Sequence, residues 1–440
     1  MKLSGWGRFP VVDTDESRPD SEAALARAVA KGAVIARGNG RAYGDSAIGL
    51  ATTLNMRRFN RMIAFDPDTG QLVAEAGLLL SDVIDTFLPR GWFPMVTPGT
   101  KFVTLGGMIA ADVHGKNHHR DGAMRASVDW IDLMGPDGQV HRCSRDANAE
   151  FFDWTVGGMG LTGVILRAAI RLRPVESAWI RQRMIPAPDL DAAMAAFEDH
   201  HDATYSVAWI DCLSTGAAKG RALVMLGEHA RAVELPHQHR LHPLRTPEKT
   251  TKTIPIDFPG LALNPLTVRA FNAAYYRNGL RQAGTSYVDW DSYFYPLDAI
   301  LGWNRIYGRR GFVQFQCVLP LQVANTGLHA LLDEIAAARA GCFLSVLKRF
   351  GPGQGRFSFP MEGYTLALDF PVNRRTLALM SRLDAITLAH GGRFYLAKDA
   401  RLSAKTLRAA DPRAEDFAAL RQARGMSPAF RSSQSERLSL

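Results

Sequence analysis

Ile109-Ala-Ala-Asp-Val-His-Gly-Lys-Asn-His-His119 is the stretch from which the rest of this chain is best read. It crowds three imidazoles and a lysine behind Gly106 and Gly107, and so much polar chemistry belongs to a site, not to a core. Arg37-Gly-Asn-Gly-Arg-Ala-Tyr-Gly-Asp-Ser46 lies upstream and Gly157-Gly-Met-Gly-Leu-Thr-Gly163 downstream. Glycine at this frequency lets backbone come close to something large.

At 440 residues the chain exceeds one ordinary hydrophobic core, so two domains are expected; 47% apolar and 22% charged residues are normal for a soluble globular protein. The four cysteines, Cys143, Cys212, Cys317 and Cys342, are far apart with no Cys-x-x-Cys pair, which argues against zinc, iron–sulfur clusters and a disulfide framework and fits a reducing, cytoplasmic compartment. The N-terminus lacks the apolar region of a signal peptide, and no run of about 18 apolar residues is present to span a bilayer. A net charge of +9 suits nucleic acid, anionic lipid or phosphorylated ligands, but the basic residues are dispersed and no nucleic-acid motif accompanies them. One cluster stands out: His237 to Lys252 is cationic and broken by prolines, and it leads into the more apolar Pro259–Val268. A solvated surface loop is the ordinary reading, and contact with the inner face of the plasma membrane is the alternative.

The segment Asp20–Gly32 has an N-cap residue, good helix formers and a terminal glycine; with the apolar Val34-Ile-Ala36 behind it, the order is helix, strand, first glycine loop. From Val164 to Leu172, Val164, Leu166, Ala168, Ile170 and Leu172 share one face while Arg167 and Arg171 point away, as in a half-buried strand. Beyond Pro174 the texture changes to strands at Tyr205–Ile210, Gly311–Leu319 and Tyr364–Phe370 and helices at Leu190–Asp199 and Asn325–Ala340, which predicts an antiparallel sheet backed by helices. Short helices at Ala404–Ala410 and Ala414–Arg424 are expected to return to the first domain.

Gly38 to Gly44 is not a Rossmann fingerprint, which needs glycine where Tyr43 stands and a helix directly behind, and no Walker lysine follows. Small residues in succession can still aim backbone N–H groups at a pyrophosphate, and a dinucleotide would suit three such loops. His114 and His118 stand four apart, but no third ligand follows, so no metal is expected.

The order Gly-Asn-Gly-Arg-Ala-Tyr-Gly-Asp, Thr97-Pro-Gly-Thr with Leu-Gly-Gly-Met-Ile-Ala, and Val156-Gly-Gly-Met-Gly-Leu-Thr-Gly-Val resembles the PCMH-type FAD-binding domain of the vanillyl-alcohol-oxidase superfamily. His114-Gly-Lys-Asn-His-His119, Tyr295-Pro-Leu-Asp, Trp303-Asn-Arg-Ile-Tyr-Gly308, Arg349-Phe-Gly-Pro-Gly353 and Tyr395-Leu-Ala-Lys-Asp-Ala-Arg401 resemble one branch of it, the decaprenylphosphoryl-β-D-ribose 2′-oxidase family. The likeness spans nearly the whole chain. It implies an α+β, two-domain flavoprotein, with an FAD-binding domain over 1–178, a substrate-binding domain with a helix-covered antiparallel sheet over 179–392, and a return to the first domain over 393–440. The texture change at Pro174 points to the same junction.

On that resemblance, FAD is held by Arg37, Gly38, Asn39, Gly40, Arg41, Ala42 and Tyr43 of the first loop, by Thr97, Pro98, Gly99, Gly106, Gly107 and Ala110 of the second, by His114, Gly115 and Asn117, by Gly158, Gly160, Gly163 and Val164 of the third, and by Tyr395. Many relatives attach FAD through a histidine in the first loop; Arg41 stands near that position here, so noncovalent FAD is expected. Oxidising an alcohol at a flavin requires hydride delivery to N5, removal of the hydroxyl proton and positive charge near the pyrimidine edge of the reduced ring. Lys398 matches the family element expected to contact substrate hydroxyl and flavin, and with His114 it forms the expected catalytic pair. A neutral Lys398 could act as base and a charged one as stabiliser of the flavin anion, and the two roles predict different pH profiles. Lys116, Gln314, Gln316, Thr365 and Lys398 are the expected substrate-binding residues, with Lys116 suited to phosphate and the amides to sugar hydroxyls. His118 and His119 are read as structural, and Trp303 and Arg305 as packing between domains. Mycobacterial members carry asparagine and cysteine where this chain has Thr365 and Ala367, so the sugar or prenyl preference is expected to differ.

The expected activity is oxidation of the ribose 2′-hydroxyl of a polyprenylphosphoryl ribose to the 2-keto sugar, the first half of an epimerisation to the arabinose form for cell-wall arabinan. A short-chain reductase partner would complete it, and quinone or O2 would take the electrons. Sugar-lactone oxidation is the runner-up, although the His-Trp-x-Lys element of aldonolactone oxidases appears here as Phe394-Tyr-Leu-Ala-Lys398. A noncatalytic FAD- or lipid-binding partner would have lost His114, Lys116 and Lys398.

Overall fold

The computed structural model describes residues 1–247, 249–259, 263–342 and 344–440. The N-terminal segment begins as its pattern predicts. Ser21 caps helix Glu22–Val29, its hydroxyl accepting from the Ala24 N–H at 3.3 Å, and Leu25 and Val29 are buried. Strand Val34–Arg37 follows and pairs in parallel with Thr52–Asn55, which pairs in parallel with Asp15–Ser17. A second, antiparallel sheet runs in the order Val140–Ser144, Val128–Met134, Val164–Pro174, Gln71–Glu75, Met62–Asp66, and Trp92–Pro94 joins it on Val164–Pro174.

Strand Val164–Pro174 departs from the alternation expected of it. Arg167 and Arg171 do turn outward, to Asp132 at 2.9 Å and Asp129 at 2.8 Å, but Ile165 and Ala169 are buried as well. Irregular register between Ile165 and Arg167 and between Ala169 and Ile170 breaks the strict period, so both faces of the strand are covered.

Beyond Pro174 the chain builds an eight-stranded antiparallel sheet in the order Gly284–Asp289, Trp179–Ala187, Ala222–His229, Tyr205–Ile210, Ser345–Phe350, Gly363–Pro371, Phe312–Pro320, Arg393–Phe394. Helices Leu190–Asp199, Leu321–Ala337 and Arg374–Ala389 cover one face, where Ala208, Val224, Phe315, Leu347, Leu366 and Leu368 form a dry core. The fold class is α+β, as the sequence predicted. Arg393–Phe394 forms the last strand of this sheet, paired with Phe312–Pro320.

Register defines the other face. Gln316 lies opposite Ala367 and Gln314 opposite Asp369; Thr365 lies opposite Lys348, Val346 opposite Trp209, and Trp209 opposite Leu223. These side chains therefore point the same way. Helix Pro265–Arg281 covers the far end of this face, its Tyr276 packing with Met184, Trp209, Leu223 and Met225 of the sheet.

The C-terminal helices form at Ala404–Ala410 and Arg413–Ala423, with a further helix at Ser433–Leu438. Their anchors lie in the first half. Arg431 N–H donates to Val34 O at 2.9 Å, Arg437 pairs with Asp45 at 2.7 Å, and fully buried Arg421 donates to Leu161 O at 3.0 Å. The cationic His237–Lys252 stretch is exposed but fastened at both ends: the His239 ring stacks on Trp179 at 3.9 Å, and Lys249 pairs with Asp289 at 2.5 Å. Of the apolar stretch after it, residues 260–262 lie outside those described. No helix among the described residues is long and apolar enough to cross a membrane.

Candidate active site

The His114 loop is placed by a strained turn. Helix Leu105–Ala110 starts at Thr104, whose hydroxyl accepts from the Gly107 N–H at 3.4 Å, and ends before Asp112, which adopts a left-handed backbone with φ of 38°. Buried Asp112 accepts from the Arg125 N–H at 2.8 Å and from the Ser358 hydroxyl, and these bonds hold a conformation that L residues rarely adopt. The chain then swings His114 onto the open face of the eight-stranded sheet.

His114 sits among the rings of Phe350, Phe359 and Tyr395, with centroids 4.7, 5.7 and 5.1 Å away. Burial, reinforced by Lys348, His118 and Lys398, holds its pKa well below the ordinary value, so the imidazole is neutral at physiological pH. The Gln316 amide donates to its Nε2 at 3.2 Å and to Thr365 Oγ1 at 3.2 Å, while the Thr365 hydroxyl donates to Cys317 O at 2.8 Å. An acceptor at Nε2 places the ring proton on Nδ1, and Nδ1 is buried without a partner. His114 is therefore a neutral donor whose Nδ1–H meets no acceptor among the described residues. Tyr395, whose hydroxyl donates to Ala111 O at 3.0 Å, walls the same space.

Lys398 approaches from the C-terminal segment, where Tyr43 N–H donates to Ala397 O at 3.0 Å and so joins it to the first glycine loop. Its ammonium lies 3.6 Å above the Tyr43 ring. Burial depresses the Lys398 pKa and Asp369 opposes the shift; burial raises Asp369, which accepts from the Gln314 amide at 2.5 Å. Lys116 donates to Tyr293 O and lies 4.1 Å over the Tyr293 ring, and burial with the Lys348 charge brings its pKa down to about 7. Lys348 is brought down to about 8 by burial alone.

Asp369, Lys348 and Phe350 were not among the residues singled out from sequence. For Asp369 the signal was present: Thr365, Ala367 and Asp369 alternate with Tyr364, Leu366, Leu368 and Phe370, placing a carboxylate on the face that also carries Gln314 and Gln316. Lys348 had no such signal, because it follows Leu347 and precedes Arg349 with no alternation to decide which side chain turns inward.

The glycine loops converge beside this site. Asn39 donates to Phe102 O at 2.8 Å, tying the first loop to the second, and Met159 N–H donates to Ala110 O at 2.8 Å, tying the second to the third. A Cβ on Gly38 would stand 2.0 Å from Thr104 Oγ1, on Gly106 2.8 Å from Ala76 Cβ, on Gly115 3.0 Å from Thr97 O and on Gly158 2.1 Å from Trp154 O. Gly40 and Gly160 have φ of 64° and 77°, which glycine alone adopts freely. Gly107, Ala42, Pro98 and Gly163 lie in the same three loops. Three of the expected cofactor residues use their side chains within the chain. The Arg37 guanidinium donates to Ser4 O at 2.8 Å, the Asn117 amide donates to Met95 O at 2.8 Å, and the Val164 side chain is in the core with Leu25 and Phe430. Trp303 packs against Trp6 at 5.8 Å, and Arg305 pairs with Asp257 at 3.1 Å, as packing residues should.

Five successive backbone N–H groups, from Gly38 to Ala42, donate to nothing within the chain among the described residues. Nearby, Arg41 Nε and Thr97 Oγ1 are buried without partners, the Arg41 guanidinium lies 4.1 Å over the Trp6 ring, and a Cβ on Gly99 would meet nothing within 4 Å. A run of free N–H groups beside a cation has the chemistry to hold a phosphate.

Comparison with known proteins gives this arrangement its context. Residues 13–144 match a family model described as an FAD binding domain. The whole chain is 35% identical to decaprenylphosphoryl-beta-D-ribose oxidase of Mycolicibacterium smegmatis, covering 100% of this chain and 97% of that protein. An uncharacterised protein of Streptomyces coelicolor is 34% identical over 82% of this chain and 100% of its own length. L-gulonolactone oxidase of Mus musculus is 30% identical over 31% of each chain. The free N–H groups, the buried unpartnered donors and the sterically required glycines fit FAD, which the matched FAD-binding domain implies. The chain belongs to the decaprenylphosphoryl-β-D-ribose oxidase family of FAD-dependent oxidoreductases that act on CH–OH groups.

Proposed function

We propose that the protein oxidises the 2′-hydroxyl of a polyprenylphosphoryl-β-D-ribose to the 2-keto sugar, the first half of an epimerisation to the arabinose form. One observation carries this reading: Lys116, Lys348 and Lys398 converge on a site that also holds the amides of Gln314 and Gln316 and the Thr365 hydroxyl. Three lysines with one carboxylate among them suit an anionic ligand, whose charge would favour their ammonium forms, and the amides suit sugar hydroxyls. Its full-length relative is named for the same substrate.

Bound FAD supplies the hydride acceptor. The backbone of residues 38–42 with Arg41 and Thr97 would hold its phosphates, and Tyr395, His114 and Lys398 would border its reactive ring. Neutral His114 donates from Nδ1 and orients. Lys398, poised between charge states, takes the hydroxyl proton or stabilises developing negative charge. FAD is bound noncovalently, because Arg41 replaces the histidine that would form the link. We assign 1–178 with 393–440 to the FAD-binding domain and 179–392 to the substrate domain. The site works at the cytoplasmic face of the membrane, with a short-chain reductase consuming the keto sugar and quinone or O2 reoxidising the flavin. Sugar-lactone oxidation is the second reading, favoured by the gulonolactone oxidase match over 31% of the chain.

The test is anaerobic bleaching of the flavin absorbance by a short-chain polyprenylphosphoryl-β-D-ribose, with a sugar lactone in parallel. Bleaching by the phosphosugar alone supports the proposal, and bleaching by the lactone alone transfers the assignment to the second reading. Acid precipitation that leaves flavin on the protein pellet would refute noncovalent binding.

A further inference from the structure

Helix Pro265–Arg281 is docked by a narrow stripe. Val268, Asn272 and Gly279 are buried, Asn272 donates to Asp211 at 2.8 Å, the Tyr276 hydroxyl donates to Ala187 O at 3.1 Å, and a Cβ on Gly279 would stand 2.3 Å from Leu223. The rest of the helix faces outward and is unusually apolar. Leu266 is 76% and Leu280 48% exposed, with Phe271 and Tyr275 on the flank, and Arg269, Arg277 and Arg281 share the outward face. Of the thirteen large apolar side chains exposed among the described residues, eight lie between Leu241 and Leu301. Chance scatter would spread them over the chain.

The apolar surface continues beyond the helix. Leu263 packs in the cluster of Trp303, Ile300 and Ile306. Ile254 N–H donates to Leu301 O at 3.0 Å and Phe258 N–H to Arg305 O at 3.0 Å, which brings exposed Ile256, Phe258 and Leu301 beside that cluster. No aspartate or glutamate occurs between Phe258 and Val288, and Asp257 is engaged by Arg8 and Arg305. The helix also covers the sheet face that carries Gln316, Thr365 and Lys348, next to the site and not behind it.

We propose that the outward face of helix Pro265–Arg281, with Ile256, Phe258 and Leu301, is a docking surface for an anionic lipid bilayer. Leucines among arginines, with no acidic residue, match a headgroup layer whose phosphates meet the guanidinium groups while the apolar side chains enter the acyl boundary. Docking there turns the site-bearing face of the sheet toward the membrane. The purpose of the surface rests on the reading of a lipid-linked substrate; the surface itself does not.

The experiment is flotation of the intact flavin-loaded protein with vesicles of phosphatidylglycerol and phosphatidylcholine, against phosphatidylcholine alone. The protein is expected to float with the anionic vesicles and to be released by salt. Arg269→Glu with Arg277→Glu, and separately Leu266→Glu with Leu280→Glu, should weaken binding by roughly tenfold or more. All four side chains are exposed, so flavin content and turnover of a water-soluble short-chain phosphoribose should stay unchanged. Absence of phosphatidylglycerol-dependent binding, or variants that float like the parent, would overturn the proposal. A dimer that Leu266→Glu with Leu280→Glu dissociates, without vesicle binding, would assign the face to a second copy and overturn it equally. Binding lost in the variants while the phosphoribose fails to bleach the parent flavin would keep the surface and remove the substrate reading.

Discussion

Lys348→Met should make the protein more stable at neutral pH while impairing its binding site. Lys348 points from strand Ser345–Phe350 into the site, and no hydrogen-bond or carboxylate partner meets its ammonium among the described residues. Burial takes its pKa from 10.5 to about 8. Below that folded value both folded and unfolded chains carry the proton, and the full cost of a charged, desolvated lysine falls on the folded state. Between about 8 and 10.5 the folded chain has released the proton while the unfolded chain has not, so the cost fades as pH rises; above 10.5 none is left. The shift corresponds to about 3 kcal/mol, and because the side chain is only half-buried, ~1–3 kcal/mol is expected in practice. Methionine keeps most of the unbranched packing volume and removes the charge. Urea unfolding followed by tryptophan fluorescence at pH 7 and at pH 10 is the assay, with the full gain at the first pH and about a quarter of it at the second. A variant less stable than the parent at pH 7, or equally stabilised at both, would refute the reasoning. The same variant should let Lys116 titrate above its present value of about 7, because the Lys348 charge helps to depress it. It should also weaken phosphosugar binding.

Lys398→Ala should keep bound FAD and slow anaerobic flavin reduction by at least about a hundredfold; unchanged reduction kinetics would remove Lys398 from the mechanism. Asp369→Asn removes the carboxylate that favours the ammonium form of Lys398, so the limb of the pH–rate profile due to Lys398 should move to lower pH, as stopped-flow reduction across pH will show. Gly38→Ala places a methyl 2.0 Å from Thr104 Oγ1, the hydroxyl that caps helix Leu105–Ala110, and should abolish FAD occupancy measured by the ratio of flavin to protein absorbance.

What could be read ahead of the structure followed local rules. Helix Leu190–Asp199 and strand Tyr205–Ile210 form over the residues their patterns mark, since a capping Asp189 and continuous apolar runs are decided by neighbours in sequence. Strand Val164–Pro174 was legible as a strand but not as one buried on both faces, because irregular register depends on which strands it meets. The His114 loop and the glutamines on strand Phe312–Pro320 were recognisable as polar chemistry in unusual places, and Lys398 only through the family resemblance. That Gln316 leaves the Nδ1 proton of His114 free, and that Arg37 and Asn117 spend their side chains on local backbone, depends on distances that no spacing encodes.

By itself the sequence determined that glycine-rich backbone would gather in three loops, that the chain would be α+β, and that histidine, lysine and glutamine would be present as polar residues beside those loops or on the strands after them. Tertiary structure alone decided that Lys348 and Asp369 lie on the sheet face that carries Gln316 and Thr365, that both act on the charge of Lys398, and that an apolar, arginine-bearing helix covers the same face. Hydrophobic periodicity specifies which way a side chain turns relative to its own strand. Which charges then meet, and how much water is excluded between them, is set by the packing of strands and loops far apart in sequence.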